Sequence, residues 1–296
     1  MKRAYVTEFY NFSSNLNTEY YKLYYDYLVE SFRKWYDLVD TAYIIDVNWD
    51  FTEEDKQRMW DIKKEVIFYK SPILGHHHRQ LAHFLPQVIE DYILVMDNDC
   101  FVYDREGVEF FFERIPGKDA VVQFSNNGGL QEAVWNKYPV LKELKAQSLY
   151  PNNICFSREF ISNKRHKEWH DTINYPEGTY IKELDYITKK GDWNEGHSGI
   201  VWGLAERDNF VSFEPIPNQG FHHLHSVSWA YLLLSYKKLG GKDNLQRYWE
   251  FIKGQPIEKS LKIMNWFMTI DIENKYTIEI KAVIQDILFN KVHSFQ

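Results

Sequence analysis

Asp97, Asn98 and Asp99 follow the apolar run "YILVM", and carboxylates at i and i+2 of an extended segment face the same side. Two like charges at the rim of a core repel each other, and a hard divalent cation with oxygen ligands relieves that repulsion. The formal net charge is -7, so acids alone would repel a diphosphate. Mg²⁺ or Mn²⁺ held between them reverses the local sign, and metal and phosphate are therefore implied together. Asp-x-Asp on its own is a short pattern that also marks turns and helix caps. Its weight comes from the strand before it and the order of elements around it.

Those elements alternate. "RAYVTEFY" at 3–10 reads as a first strand, and the polar "NFSSNLN" can cap a helix over 18–39 with an apolar stripe of Tyr20, Leu23, Tyr24, Tyr27, Leu28 and Phe32. "AYIIDVN" supplies a second strand ending at Asp46, and "EVIFYKS" at 65–71 a third. A helix over 75–92 is kinked or shortened by Pro86, and a single fourth strand runs over 92–102. This order predicts parallel βαβ units, in which ligands collect outside the carboxyl ends of the strands, where Asp97 and Asp99 fall. "DAVVQFSNN", "NNICFS" and "NFVSFEPIP" are strand-like, and the pattern turns helical after about 225. The expected organisation is a catalytic region over 1–230, with a nucleotide-binding half (1–104) and an acceptor-binding half (105–230), followed by a helical extension over 231–296.

Composition excludes several classes. Hydrophobic residues make up 44% of the 296 and aromatic residues 17%, enough for a sizeable core. No Lys/Arg run forms a phosphate-tracking stripe, so nucleic acid is not an expected partner. Cys100 and Cys155 are isolated, without CxxC spacing, and are expected to be buried thiols in a reducing compartment. There is no apolar stretch of signal-peptide or transmembrane length, which leads to an expected cytoplasmic location, with peripheral contact to a membrane left open.

Taken together, the first strand "AYVTEFY", the acid in "IIDVN", the helix bearing Arg79, "LVMDNDCFV", "YPNNICFS", "DWNEGHSGIVWGL" and the late "GFHHLH" resemble the metal-dependent GT-A glycosyltransferases over roughly residues 3–230. The resemblance implies a Rossmann-like α/β fold with a central, mostly parallel sheet, a UDP- or GDP-sugar donor and a glycan or other hydroxyl acceptor. It places Asp46, Arg79, Asp97, Asn98 and Asp99 at the donor, and assigns Asp97 and Asp99 to the metal with His223 or His225 as the later ligand. "GFHHLHSVSW" lacks the Lys-Pro pair of some retaining members, so the choice among His222, His223 and His225 stays open. "NEGHSG" is similar to the Asp-Glu-x-His segment of the blood-group-type transferases, with Glu195 on the catalytic Glu and His197 on the acceptor-binding His, although Asn194 replaces the Asp.

Glycosyl transfer of the hexosyl type needs charge neutralisation at the leaving diphosphate and a carboxylate that orients or deprotonates the acceptor. Glu195 and then Asp192 are the candidates for that carboxylate, while Trp193 beside them can stack on a pyranose face. Inverting and retaining routes both remain open. Three rivals differ in class. A phosphatase of the haloacid dehalogenase type carries its Asp-x-Asp in the first strand rather than the fourth. A sugar-phosphate nucleotidyltransferase has a Gly-rich phosphate loop that "EFYNFSSN" lacks, and a non-catalytic carbohydrate-binding protein would keep fold and aromatics without turnover.

Overall fold

The computed structural model describes residues 1–10, 18–73, 77–98, 100–102, 104–124, 146–162, 178, 180–181, 186–187, 201–204, 209–213 and 221–223, and a few positions between 268 and 282. The chain divides into two compact units. The first comprises residues 1–12, 36–97 and 108–216, and the second 13–35, 98–107 and 217–296.

The first unit is an α/β layer built on alternating β-branched and aromatic segments. Its strands are β1 (Arg3–Tyr10), β2 (Thr41–Val47), β3 (Val66–Lys70), β4 (Tyr92–Met96), β6 (Ala120–Phe124), β7 (Ala146–Ser157), β10 (Val201–Leu204) and β11 (Phe210–Phe213). They form one eight-stranded sheet in the order β11-β6-β7-β4-β1-β2-β3, with β10 pairing β7 off that path. β1, β2, β3 and β4 run parallel to one another, as β11 does to β6, while β7 is antiparallel to β4, β6 and β10. The sheet is thus mostly parallel, as the strand and helix alternation predicts. A small separate hairpin pairs β8 (Tyr180–Ile181) with β9 (Tyr186–Ile187).

Alternation along the central strands sends Ala4, Val6, Ile45, Ile93, Val95, Val122, Ile154 and Phe156 to one face. There they meet Leu81 and Phe84 of α3 (His77–Phe84), Leu85 and Val88 just beyond it, and Phe160 and Ile161 of α5 (Arg158–Ser162). Each large apolar side chain so buried contributes about 1.5–3 kcal/mol. Tyr5, Leu94 and Cys155 are in register and, by the same alternation, point to the opposite face. Both cysteines are buried and outside any disulfide, and burial raises the Cys155 thiol well above its ordinary pKa.

Several elements differ from the sequence reading. α1 (Thr18–Phe32) stops seven residues short of the expected helix because its last hydrogen bonds tighten to i→i−3, Lys34 N–H to Ser31 O and Trp35 N–H to Phe32 O. That turn buries Trp35 edge-on against Phe32, with ring centroids 4.9 Å apart. α3 ends at Phe84 and continues as a single 3₁₀ turn over Leu85–Gln87, the shortening expected of Pro86. α2 (Glu53–Trp60) and α4 (Glu106–Arg114) were not anticipated. α2 buries only Met59 and so lacks an apolar stripe, yet "TEED" carries its start signal. Thr52 Oγ1 accepts from Asp55 N–H and the Asp55 carboxylate accepts from Thr52 N–H, a reciprocal cap. The expected helices of 231–296 lie almost wholly outside the described residues.

At the amino ends of β2 and β4, the Tyr43 hydroxyl donates to buried Glu90, 3.2 and 3.3 Å from its two oxygens. Burial, and then the Glu90 charge and hydrogen bond, push the Tyr43 pKa up to about 12 from 10.0. Below pH 10 the phenol is neutral in both folded and unfolded chains. Between pH 10 and about 12 only the unfolded chain ionises, so stability falls as pH rises through that window. Tyr43→Phe is expected to lower the melting temperature at pH 8, because it leaves Glu90 without its donor, and to flatten the decline above pH 10. Thermal melts from pH 8 to 12 measure both effects.

Candidate functional site

The strand carrying the acidic motif does not run through it. β4 ends at Met96, Asp97 leaves the ladder, Asn98 lies in a turn, and β5 (Cys100–Val102) begins after it. The single strand expected over 92–102 is therefore two strands, β4 and β5, with Asp97 and Asn98 outside both. Up to Met96, β4 is paired by β7, whereas Asp and Asn favour turns because their short side chains bond local backbone. Asp97 and Asn98 are half-buried, and Asp99 lies outside the described residues.

In the second unit, β5 is held from two sides. Ser31 of α1 accepts from Val102 N–H at 2.8 Å and donates to Val102 O at 3.1 Å, and Trp35 Nε1 donates to the same hydroxyl. β12 (Phe221–His223) pairs antiparallel with β5, so His223 stands opposite Cys100, the residue after Asp99, and His222 opposite Phe101. Of the three late histidines, His222 and His223 are thus paired through the backbone with β5. His225 lies outside the described residues.

In the first unit, the carboxyl ends of the parallel strands form a polar edge. Phe9 of β1 is in register with Asp46 of β2, and Asp46 with Lys70 of β3. Asp46 is buried, and its Oδ1 accepts from Trp49 N–H (2.8 Å), Asp50 N–H (3.2 Å) and Lys70 Nζ (3.3 Å). This carboxylate anchors a tight turn in which Asn48 (φ 60°) and Asp50 (φ 59°) take the left-handed conformation that Asn and Asp tolerate better than most residues. Lys70 also binds Asp50, and that hydrogen bond, followed by the Asp46 contact, raises its pKa. The turn sets the Trp49 ring edge-on to Phe9, with centroids 5.0 Å apart. Asp46, expected at the donor, thus has one oxygen committed to shaping the loop after β2.

The other expected site residues are placed only in part. Arg79 lies in α3, while Asp192, Trp193, Glu195 and His197 are outside the described residues. His83, four residues after Arg79 in α3, sits 3.4 Å from the Tyr69 hydroxyl. Among the described residues no group of three His, Cys, Asp or Glu side chains gathers around a common point. No helix among them is long and apolar enough to cross a membrane.

Residues outside the expected site set stand out within each unit. Ser31 reads as an ordinary helix position, and only the contact across 71 residues of chain reveals its part. Thr7 Oγ1 and both polar atoms of the Asn153 side chain are buried without a hydrogen-bond partner among the described residues. The doubled Asn in "YPNN" was the one available signal for Asn153.

No protein-family model matches the chain, and no curated relative matches it by sequence. Solved structures superpose loosely on part of it. Glucosyl-3-phosphoglycerate synthase from Mycobacterium tuberculosis, in complex with Mn²⁺, UDP and phosphoglyceric acid, is 17% identical with a TM-score of 0.36. The match covers 53% of this chain and 56% of the synthase, so the chain spans little more than half of that enzyme's length. A protein from Desulfovibrio desulfuricans G20, assigned as a nucleotide-diphospho-sugar transferase, is 13% identical with a TM-score of 0.43, and the match covers 72% of this chain and 80% of that one. These are distant likenesses, and the fold rests on its own strand order.

Proposed function

We propose that this chain is a metal-dependent glycosyltransferase of the GT-A type, moving a hexosyl group from a UDP- or GDP-sugar to a glycan or other hydroxyl acceptor. The observation that supports this most is the apolar β4, inside a mostly parallel sheet, releasing Asp97-Asn98-Asp99 at its carboxyl end. The donor set of two carboxylates and an imidazole suits Mn²⁺ or Mg²⁺. In this reading Asp97 and Asp99 hold the ion, with His223 or His225 as a further ligand. When bound, the ion supplies Lewis-acid neutralisation of the leaving diphosphate.

The chain's own residues do the rest. Asn98 and Arg79 orient the diphosphate end of the donor, and the loop shaped by Asp46 receives the nucleoside end. Trp193 and His197 seat the acceptor. The acceptor hydroxyl oxygen bonds to the anomeric carbon as the bond from that carbon to the diphosphate oxygen breaks. The electron pair leaves with the nucleoside diphosphate, and Glu195, or Asp192 in its place, takes the hydroxyl proton. A retaining route would use the same carboxylate at the anomeric centre instead.

Thermal melts with UDP and GDP, each with and without Mn²⁺, test this reading. A nucleotide is expected to raise the melting temperature only when the metal is present. Stabilisation by no nucleotide, or equal stabilisation in EDTA, would defeat it. Slow metal-dependent hydrolysis of the stabilising nucleotide's sugar conjugate separates an enzyme from a carbohydrate-binding protein on the same fold.

A further inference from the structure

Val6, Val95 and Ile154 lie side by side on β1, β4 and β7, and one step further toward the carboxyl edge come Thr7, Met96 and Asn153. Alternation sends Thr7, which follows Val6 on β1, and Asn153, which pairs with Met96, the residue before Asp97, to the face opposite the main apolar cluster. Both are at least 99% buried, and neither side chain has a hydrogen-bond partner among the described residues. For Asn153 this leaves an amide N–H₂ and a carbonyl oxygen both unmatched. A buried orphan of this kind bears the full desolvation cost of the group, and native proteins retain few of them.

The backbone at Asn153 is also irregular. On β6, Val122 and Gln123 are consecutive, yet their partners on β7 are Ile154 and Tyr150, so residues 151–153 bulge relative to β6 while Asn153 still pairs with Met96. Bulges of this kind gather next to active sites, where they re-aim a side chain. An unmatched amide and a bulge thus coincide beside the strand end that delivers Asp97.

We propose that Asn153 is a positioning residue for the cation held at Asp97. Its Oδ1 accepts from a water of the ion's hydration shell, and its Nδ2–H donates to an oxygen of the bound diphosphate. Thr7, the next residue after Val6 on β1, supplies a hydroxyl as a second donor. The amide has no hydrogen-bond partner among the described residues because its partners arrive with metal and nucleotide. Residues outside the coordination sphere that orient a metal's ligands typically change its affinity about 10–100-fold when replaced. This inference rests on the reading of the chain as a metal-dependent transferase.

Asn153→Leu keeps the branched shape and removes both polar atoms. Two quantities are read: the melting temperature of the free protein, and Mn²⁺ affinity in the presence of UDP, followed through the EPR signal of free Mn²⁺. Free Asn153→Leu protein is expected to melt at or above the wild-type temperature, while Mn²⁺ binding with UDP weakens about 10–100-fold. Thr7→Val should weaken binding in the same direction and less. If the free variant melts several degrees lower with Mn²⁺ affinity unchanged, Asn153 is a structural residue satisfied by internal water and the proposal fails. Unchanged melting and unchanged affinity also overturn it. Should Asn153→Leu fail to fold, Asn153→Ala is read by Mn²⁺ affinity, with the same two outcomes. If wild-type protein binds no Mn²⁺ with UDP, the transferase reading itself has failed. If wild type binds and the variants bind equally, only the role of Asn153 has.

Discussion

Asp97→Asn is expected to abolish the metal-dependent part of nucleotide binding while leaving the fold intact. For the wild type, a ligand at about 100 times its dissociation constant stabilises by about 2.7 kcal/mol, which for a chain of this size is a rise on the order of 5 °C. The substitution removes a negative oxygen ligand and keeps side-chain volume, so affinity for Mn²⁺ with UDP should drop by more than the roughly 10–100-fold typical of residues outside the coordination sphere. Asp99→Ala should do the same. The free protein's melting temperature is expected to change far less than its metal-dependent nucleotide binding, because Asp97 is only half-buried and lies outside the ladder. The discriminating measurement is a pair of titrations, nucleotide with Mn²⁺ and nucleotide with EDTA. A variant that keeps the Mn²⁺-dependent shift would remove Asp97 from the site.

The largest expected effect on stability lies elsewhere. Phe156 on β7 is fully buried, belongs to the cluster between the sheet and helices α3 and α5, and stacks on Phe160 at 5.8 Å and 11°. It is in register with Ile93 on one side and Ala120 on the other, so its ring fills the middle of the layer. Phe156→Ala should cost about 3–5 kcal/mol, a transfer loss plus a cavity that a paired central strand cannot collapse around. Urea unfolding should show a lower midpoint with an unchanged slope, the mark of lost stability without a changed denatured state. Because β7 also carries Asn153, a loss of nucleotide binding in this variant should track the unfolded fraction and recover at low temperature. A cost under about 1 kcal/mol would mean that this part of the layer is loosely packed.

Legibility varied with the kind of information each element needs. Strands β1, β2, β3 and β4 were readable because burial on a sheet writes itself as short runs of β-branched and aromatic residues, as in "RAYVTEFY" and "YILVM". The shortening at Pro86 was readable because proline's missing N–H acts locally. α2 and α4 were missed. α2 is held by a cap and one buried methionine rather than by a stripe, and α4 buries Phe111 and Phe112, an adjacent pair that blurs helical periodicity.

By itself, the sequence determined that an acidic pair follows an apolar strand in a strand and helix series, because side-chain type and spacing are local properties. Tertiary structure alone decided that the strand breaks at Asp97, that Ser31 and β12 hold the segment after it, and that His223 is in register there. It also decided that Asn153 is buried in register with Met96, its side chain without a hydrogen-bond partner among the described residues. Each of those depends on which distant segments pair, 71 residues apart for Ser31 and Val102, and pairing of that kind is set by packing and backbone hydrogen bonding across the whole chain rather than by any stretch of it.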